Sequence, residues 1–177
     1  MRAAHVISMT LLLAFAANAQ VFKAGQCPTP AVQANFDASK YIGRWFEIQR
    51  LPTSFQVGQC IHAGAEKENN GTINSIIGSA KVKDPAEPAK LEVSFYEDTP
   101  PGPYWVLSTD YTGHSLVYGC TDYGLFHMEL SWILSREPTL PKETVAELHG
   151  ILSSIGVAVD KMLTTVQEEG HCGAMEQ

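Results

Sequence analysis

The chain contains four cysteines, Cys27, Cys60, Cys120 and Cys172, whose thiols could carry chemistry. A free thiolate is a nucleophile, whereas paired cysteines form disulfides in an oxidising compartment. No two of them form a Cys-x-x-Cys motif, and they are spread along most of the chain. We therefore expect two disulfides that close long loops, each contributing about 4 kcal/mol in the chain-entropy model. Spacing alone leaves every pairing open.

The histidines and carboxylates do not form a recognisable catalytic or metal-binding motif. The histidines lack the spacing of a metal site, and residues 113–117 begin like a nucleophile elbow but lack its second glycine. His127 and Glu129 share one face of a predicted strand, which we interpret as a solvated outer surface. We predict a protein that is not an enzyme and that has no metal and no cofactor.

Asn70-Gly71-Thr72 is an N-glycosylation sequon in a predicted turn. A turn can accommodate a glycan, so we predict glycosylation of Asn70.

The N-terminus has the pattern of a secretory signal peptide. Arg2 precedes an apolar run, and the small residues Ala17 and Ala19 follow it at the spacing of a cleavage site. We predict a signal peptide over residues 1–19, a single domain over residues 20–177, and an extracellular protein.

Composition excludes several classes of partner. The chain of 177 residues has a formal net charge of −7 at pH 7 and no basic run. Such a chain is not expected to bind nucleic acid or anionic lipid through electrostatics. We expect a monomer.

Most of the chain consists of short segments with period-two alternation, separated by turn residues rich in glycine and proline. In the clearest of them Phe126, Met128, Leu130, Trp132 and Leu134 share one face. Short strands joined in sequence by tight turns predict an antiparallel meander, closed as a barrel or folded as a sandwich.

One helix is predicted after the strands. It begins near Pro141 and ends at Gly156, and its apolar residues recur at helical spacing. A single amphipathic helix can cover part of the outer face of a barrel. The apolar residues on the inner face have two interpretations: they fill the core, or they line a barrel wide enough for one small ligand.

Three separated motifs resemble the signature of the lipocalin family. They are residues 35–45, which end in Gly43-Arg44-Trp45, then Thr109-Asp110-Tyr111, and then Arg136. The resemblance implies a mainly β fold, an eight-stranded antiparallel up-and-down barrel with one C-terminal helix packed outside. It also implies that the three motifs meet at the closed end, with Arg136 stacked across Trp45.

The resemblance implies extracellular binding and transport of small hydrophobic ligands, such as arachidonic acid or progesterone, in the barrel calyx. It places Trp132 in the pocket, and we add Ile48, Phe95, Met128 and Leu130 as lining candidates. It also implies the disulfides Cys27–Cys120 and Cys60–Cys172. A charged turn at Glu97-Asp98 leaves at most weak lipoprotein association.

Two other functions stay open: a lipocalin-type isomerase with a free pocket cysteine, and an interaction protein without a ligand.

The segment between Cys60 and Gly71 is shorter than the lipocalin pattern, which predicts a truncated strand C. An even number of strands closes an up-and-down barrel with an antiparallel seam. We therefore expect the later strands to keep their places, with two stunted strands and an exposed edge in the shortened wall. Such a chain would be a shortened isoform with impaired binding.

Overall fold

The computed structural model describes residues 20–56, 61–65, 76–77, 79–94 and 100–167. The predicted signal peptide lies outside these residues, as do Cys60, Asn70, Phe95 and Cys172. The Glu97-Asp98 turn and most of the shortened strand C segment lie outside them too.

The described residues are mainly β. The strands are β1 Val21–Ala24, β2 Gly43–Arg50, β3 His62–Ala65, β4 Ile76–Ile77, β5 Ser79–Val82, β6 Lys90–Ser94, β7 Gly102–Thr109, β8 His114–Asp122, β9 Phe126–Ser135 and β10 Leu163–Thr164. The helices are α1 Ala38–Tyr41, α2 Lys142–Ser154 and a 3₁₀ turn Val159–Lys161.

Eight strands form a continuous hydrogen-bonded path in the order β4-β3-β2-β9-β8-β7-β6-β5. Only residue 78 separates β4 from β5 along the chain, so the two ends of the path meet and the sheet closes into a barrel. The predicted lipocalin-type barrel with an external helix is confirmed.

The seam beside β3 differs from the prediction. β3 pairs with β2 in antiparallel fashion and with β4 in parallel fashion. The expected exposed edge is wrong. β4 hydrogen-bonds to the side of β3 that does not pair with β2, and β5 continues from β4 and pairs with β6. A parallel pair was expected only if the first and last strands of the wall met in parallel, and those strands, β2 and β9, are antiparallel.

Two apolar clusters lie on opposite faces of the wall. The interior cluster draws its buried residues from β2, β6, β7, β8 and β9 and from the segments before β2 and β6: Phe36, Tyr41, Trp45, Ala89, Leu91, Val93, Val106, Val117, Trp132 and Leu134. The outer cluster joins strand residues to α2 and includes Ile48, Leu116, Tyr118, Ile133, Leu148 and Leu152. Alternation along β8 and β9 sends neighbouring residues to opposite clusters, as a pleated strand requires.

The N-terminal strand β1 pairs in antiparallel fashion with the first four residues of β9, so Lys23 lies beside His127 on the neighbouring strand. His127 and Glu129 are 5% and 1% exposed, so the expected solvated surface is wrong. The Lys23 ammonium lies 2.8 Å from a Glu129 carboxylate oxygen, and the Tyr118 hydroxyl donates to the other oxygen at 3.0 Å. Lys23 of β1 therefore supplies a counter-charge to the buried Glu129 carboxylate.

Within the described ranges, no helix is long and apolar enough to span a membrane.

Candidate functional site

The closed end of the barrel is organised by Trp45 and Arg136. The Trp45 side chain is 2% exposed, and the Arg136 guanidinium carbon lies 3.6 Å from its ring centroid. The same guanidinium donates to five backbone carbonyls, those of Lys40, Tyr41, Ile42, Arg44 and Tyr111. One side chain thus joins β9 to the segment around α1 and to the turn after β7.

Gly43 is required at the start of β2 for two reasons. Its φ is +109°, a backbone conformation that residues other than glycine rarely adopt. A Cβ atom there would lie 3.2 Å from an Arg136 guanidinium nitrogen, so a larger residue would also displace the arginine.

The Thr109-Asp110-Tyr111 motif forms the turn beneath the barrel. The Tyr111 hydroxyl accepts from the Asp37 backbone N–H at 3.0 Å, and Asp110 accepts from the N–H groups of residues 112–114. Partial burial raises the pKa of Asp110, but these backbone donors and the His114 ring outweigh burial and lower the pKa overall. The structure brings the three predicted motifs together in one floor.

Above this floor, hydroxyl groups and aromatic rings connect the walls. The Tyr41 hydroxyl lies 2.7 Å from the Ser115 hydroxyl and 3.0 Å from the Tyr104 hydroxyl. Burial raises the pKa of Tyr41 to about 12, partly opposed by its hydrogen bonds to Ser115 and Tyr104. Burial also raises the pKa of Tyr104 well above its ordinary value. Both hydroxyls are therefore neutral at physiological pH, and the Tyr104 ring stacks on Trp132 with 6.4 Å between centroids.

A polar centre formed by Glu47, Arg50, Gln56 and the Trp132 indole lies inside the barrel. Arg50 Nη1 lies 2.6 Å from Glu47 Oε1, and these two side chains are 8% and 1% exposed. The Gln56 amide nitrogen donates to Glu47 Oε2 at 3.2 Å, and its amide oxygen accepts from Trp132 Nε1 at 2.8 Å. The Thr165 hydroxyl also donates to Glu47 Oε1.

Sequence reasoning missed this polar centre. Strict alternation counted from Trp45 predicts that Glu47 faces the interior and that Arg50 faces outward. A register shift between Glu47 and Gln49 places Ile48 and Gln49 on the outside and returns Arg50 to the interior.

The predicted lining residues fall into different places. Trp132 is buried in the interior cluster, with half-buried Leu130 packed against it, and Met128 is half-buried on the same face of β9. Ile48 instead lies in the outer cluster with residues of α2, so it does not face the interior.

The Cys27–Cys120 disulfide is confirmed, and it ties the segment after β1 to β8. The Cys60–Cys172 pairing, the Asn70 glycosylation and the Phe95 contact stay predictions, because they concern residues outside the described ranges. Within the residues that the structure describes, no group of His, Cys, Asp and Glu could hold a metal ion.

A lipocalin-like domain model matches residues 62–167. The chain is 47% identical over 165 residues to apolipoprotein D of Mus musculus, covering 85% of this chain and 87% of the relative. It is 48% identical over 171 residues to apolipoprotein D of Bos taurus, with 89% of each chain covered. The chain belongs to the lipocalin family.

Solved structures of other proteins superpose on this chain and share its fold. Insecticyanin of the tobacco hornworm Manduca sexta superposes with a TM-score of 0.70 at 26% identity, covering 87% of this chain and 93% of that one. Apocrustacyanin C2 superposes with a TM-score of 0.71 at 21% identity, covering 84% and 92%. Lipocalins and apolipoprotein D are generally binding and transport proteins, and family membership supports lipophilic-ligand binding by this chain.

Proposed function

We propose that this lipocalin is a secreted carrier that binds one small apolar molecule, such as arachidonic acid or a progesterone-like steroid, inside its calyx. The observation that carries the proposal is the Trp132 indole, which is part of the interior cluster and stacks on Tyr104. Half-buried Leu130 and Met128 continue this inner face of β9 toward the end of the barrel away from Trp45. Phe95 stays a predicted lining residue, and Ile48 is no longer one.

The hydrophobic effect is large enough for such binding. Each ligand CH₂ group moved into an apolar interior contributes about 0.8 kcal/mol. A chain that buries about ten of them gains about 8 kcal/mol, which corresponds to roughly micromolar affinity before ordering costs.

Secretion is supported by the predicted signal peptide and by the Cys27–Cys120 disulfide, because disulfides persist in oxidising compartments. N-terminal sequencing of protein expressed from the full-length chain tests it. We expect the mature protein to begin at Gln20, and a secreted product that retains residues 1–19 would contradict the prediction.

Weak lipoprotein association is supported by an exposed aromatic patch made by Phe22, Tyr123 and Phe126. These side chains are 51%, 52% and 43% exposed, and their rings lie 5.4 to 6.5 Å apart. Exposed apolar patches mark surfaces that contact apolar partners.

We propose that the protein is a monomer when it is not associated with lipoprotein. Size-exclusion chromatography with light scattering would test this.

Tryptophan fluorescence tests ligand carriage directly. We expect arachidonic acid or progesterone to quench the emission saturably, and Trp132→Phe to remove most of the quenching. Trp105→Phe is the matched control, because Trp105 packs against the outer cluster and not the interior. Absence of quenching by either ligand, or quenching lost only in Trp105→Phe, would overturn the proposal.

A further inference from the structure

The Gln56 side chain occupies the polar centre of the barrel interior in the way that a ligand head group would. Its amide nitrogen donates to Glu47 at 3.2 Å, and its amide oxygen accepts from the Trp132 indole at 2.8 Å. Its backbone carbonyl accepts from Arg50 Nη2 at 3.2 Å. Gln56 belongs to the loop of residues 51–56 that follows β2, and not to the barrel wall.

Without the Gln56 amide, one donor and one acceptor that it now satisfies would lose their partners, and the buried Arg50 Nε already lacks a hydrogen-bond partner among the described residues. The donor is the Trp132 indole N–H, and the acceptor is the second carboxylate oxygen of Glu47. Both side chains are more than nine-tenths buried, so neither could exchange its lost partner for bulk water. A group that replaces the amide must therefore accept one hydrogen bond and donate another.

The charge of the centre restricts that group further. Arg50 is paired with Glu47 at 2.6 Å, so the guanidinium charge is already neutralised. A carboxylate in the position of the Gln56 amide would lie beside the Glu47 carboxylate in a site shielded from water, where like charges repel strongly. It would also have no proton to donate to Glu47. An ester would accept from Trp132 but leave Glu47 without a donor.

We propose that Gln56 is an internal substitute for the polar head of the ligand. The calyx then selects apolar molecules that end in a neutral amide or hydroxyl group over the free acid with the same chain. This inference rests on the proposed carrier function, and it predicts that arachidonic acid and progesterone, which cannot donate to Glu47, bind more weakly than ligands with a neutral donor group. Its consequence is that the loop of residues 51–56 must release the Gln56 side chain when such a ligand enters. In this loop Thr53 Oγ1 accepts from the Gln56 backbone N–H at 3.1 Å.

A series of oleoyl ligands with one chain and four head groups tests the selectivity in the wild-type protein. Oleamide and oleyl alcohol can both donate and accept, methyl oleate can only accept, and oleic acid is ionised at neutral pH. We expect the amide and the alcohol to bind about tenfold more tightly than the acid and the ester, as one unsatisfied buried partner implies. Equal affinities across the series, or tighter binding of the acid, would overturn the inference.

Two variants test the role of Gln56 as an internal competitor. We expect Gln56→Ala to raise the affinity for oleamide and oleyl alcohol severalfold, because no side chain then needs displacement. Gln49→Ala is the matched control, since Gln49 bonds Thr164 and His149 on the outer face. Unchanged or weaker amide binding in Gln56→Ala would contradict the internal competition.

Glu47→Gln tests the charge argument, because removal of the carboxylate should abolish the preference for oleamide over oleic acid. A retained preference in a folded variant would overturn the assigned role of Glu47. The wild-type ligand series decides the question if this variant does not fold. Failure of all four ligands to quench Trp132 would reject carriage itself, whereas equal binding of all four would reject only the selectivity.

Discussion

At the scale of single residues, Arg136 makes more contacts at the closed end than its stacking on Trp45 alone would suggest. The three signature motifs are far apart in sequence, and the guanidinium of Arg136, the third, contacts the other two through carbonyl oxygens and the Trp45 ring. Arg136 therefore stabilises the floor of the barrel.

Replacement of Arg136 by methionine should lower the free energy of unfolding by about 3 kcal/mol, because the cation–π contact and several carbonyl hydrogen bonds are lost. Arg136→Lys is the matched control. Its ammonium keeps the charge but cannot bond five carbonyls, so we expect an intermediate loss. Urea denaturation measures both, and a loss below about 1 kcal/mol in Arg136→Met would contradict this account.

Tyr41 gives the protein a specific sensitivity to alkaline pH. Its pKa rises from 10.0 in the unfolded chain to about 12 in the folded protein, chiefly through burial. The stabilisation is complete below pH 10 and is lost as the pH rises toward 12, up to about 3 kcal/mol. Urea denaturation should show a steeper fall over this window for the wild type than for Tyr41→Phe, and parallel curves would contradict the assignment.

The floor could be predicted through the resemblance to the lipocalin signature, because Gly43, Trp45, Thr109 and Arg136 belong to short local motifs that carry that resemblance. The polar centre could not be predicted in the same way. It depends on the register shift at Ile48, which turns Arg50 inward, and on a loop residue, Gln56, that no strand pattern positions. A one-residue shift reverses the face of every following side chain, and alternation alone does not reveal it.

At the scale of elements, α2 stabilises the barrel by covering its outer face. Leu148 and Leu152 are one turn apart and both lie in the outer cluster, as the helical spacing predicted. The same spacing could not show that β1 pairs with β9 beside His127 and Glu129, because pairing between strands distant in sequence is a tertiary event.

Leu152→Ala should lower the free energy of unfolding by about 2 to 5 kcal/mol, because the side chain is fully buried and its removal leaves a cavity. Ile151→Ala is the matched control, since Ile151 is adjacent in the same helix but 37% exposed. We expect the control to change stability by less than about 1 kcal/mol. Similar losses in both variants would show that α2 does not pack as described.

At the scale of the whole molecule, the parallel contact between β3 and β4 completes the wall where the lipocalin pattern is shortened. β3 has hydrogen-bonded neighbours on both sides, so the interior keeps a boundary at that position. Sequence parity indicated a parallel pair only where the first strand meets the last, whereas the structure forms it between β3 and β4.

The central claim is that an apolar ligand binds inside the barrel, and the three tryptophans report on three separate locations. Trp45 lies in the floor, Trp105 packs on the outer cluster, and Trp132 lies inside beside the polar centre. The indole N–H signals of ¹⁵N-labelled protein can be followed while arachidonic acid or progesterone is added. We predict that the Trp132 signal shifts most and saturates at one ligand per chain, while the Trp105 signal stays unchanged. A Trp132 signal that neither ligand moves, or a larger shift at Trp105, would contradict binding in the calyx.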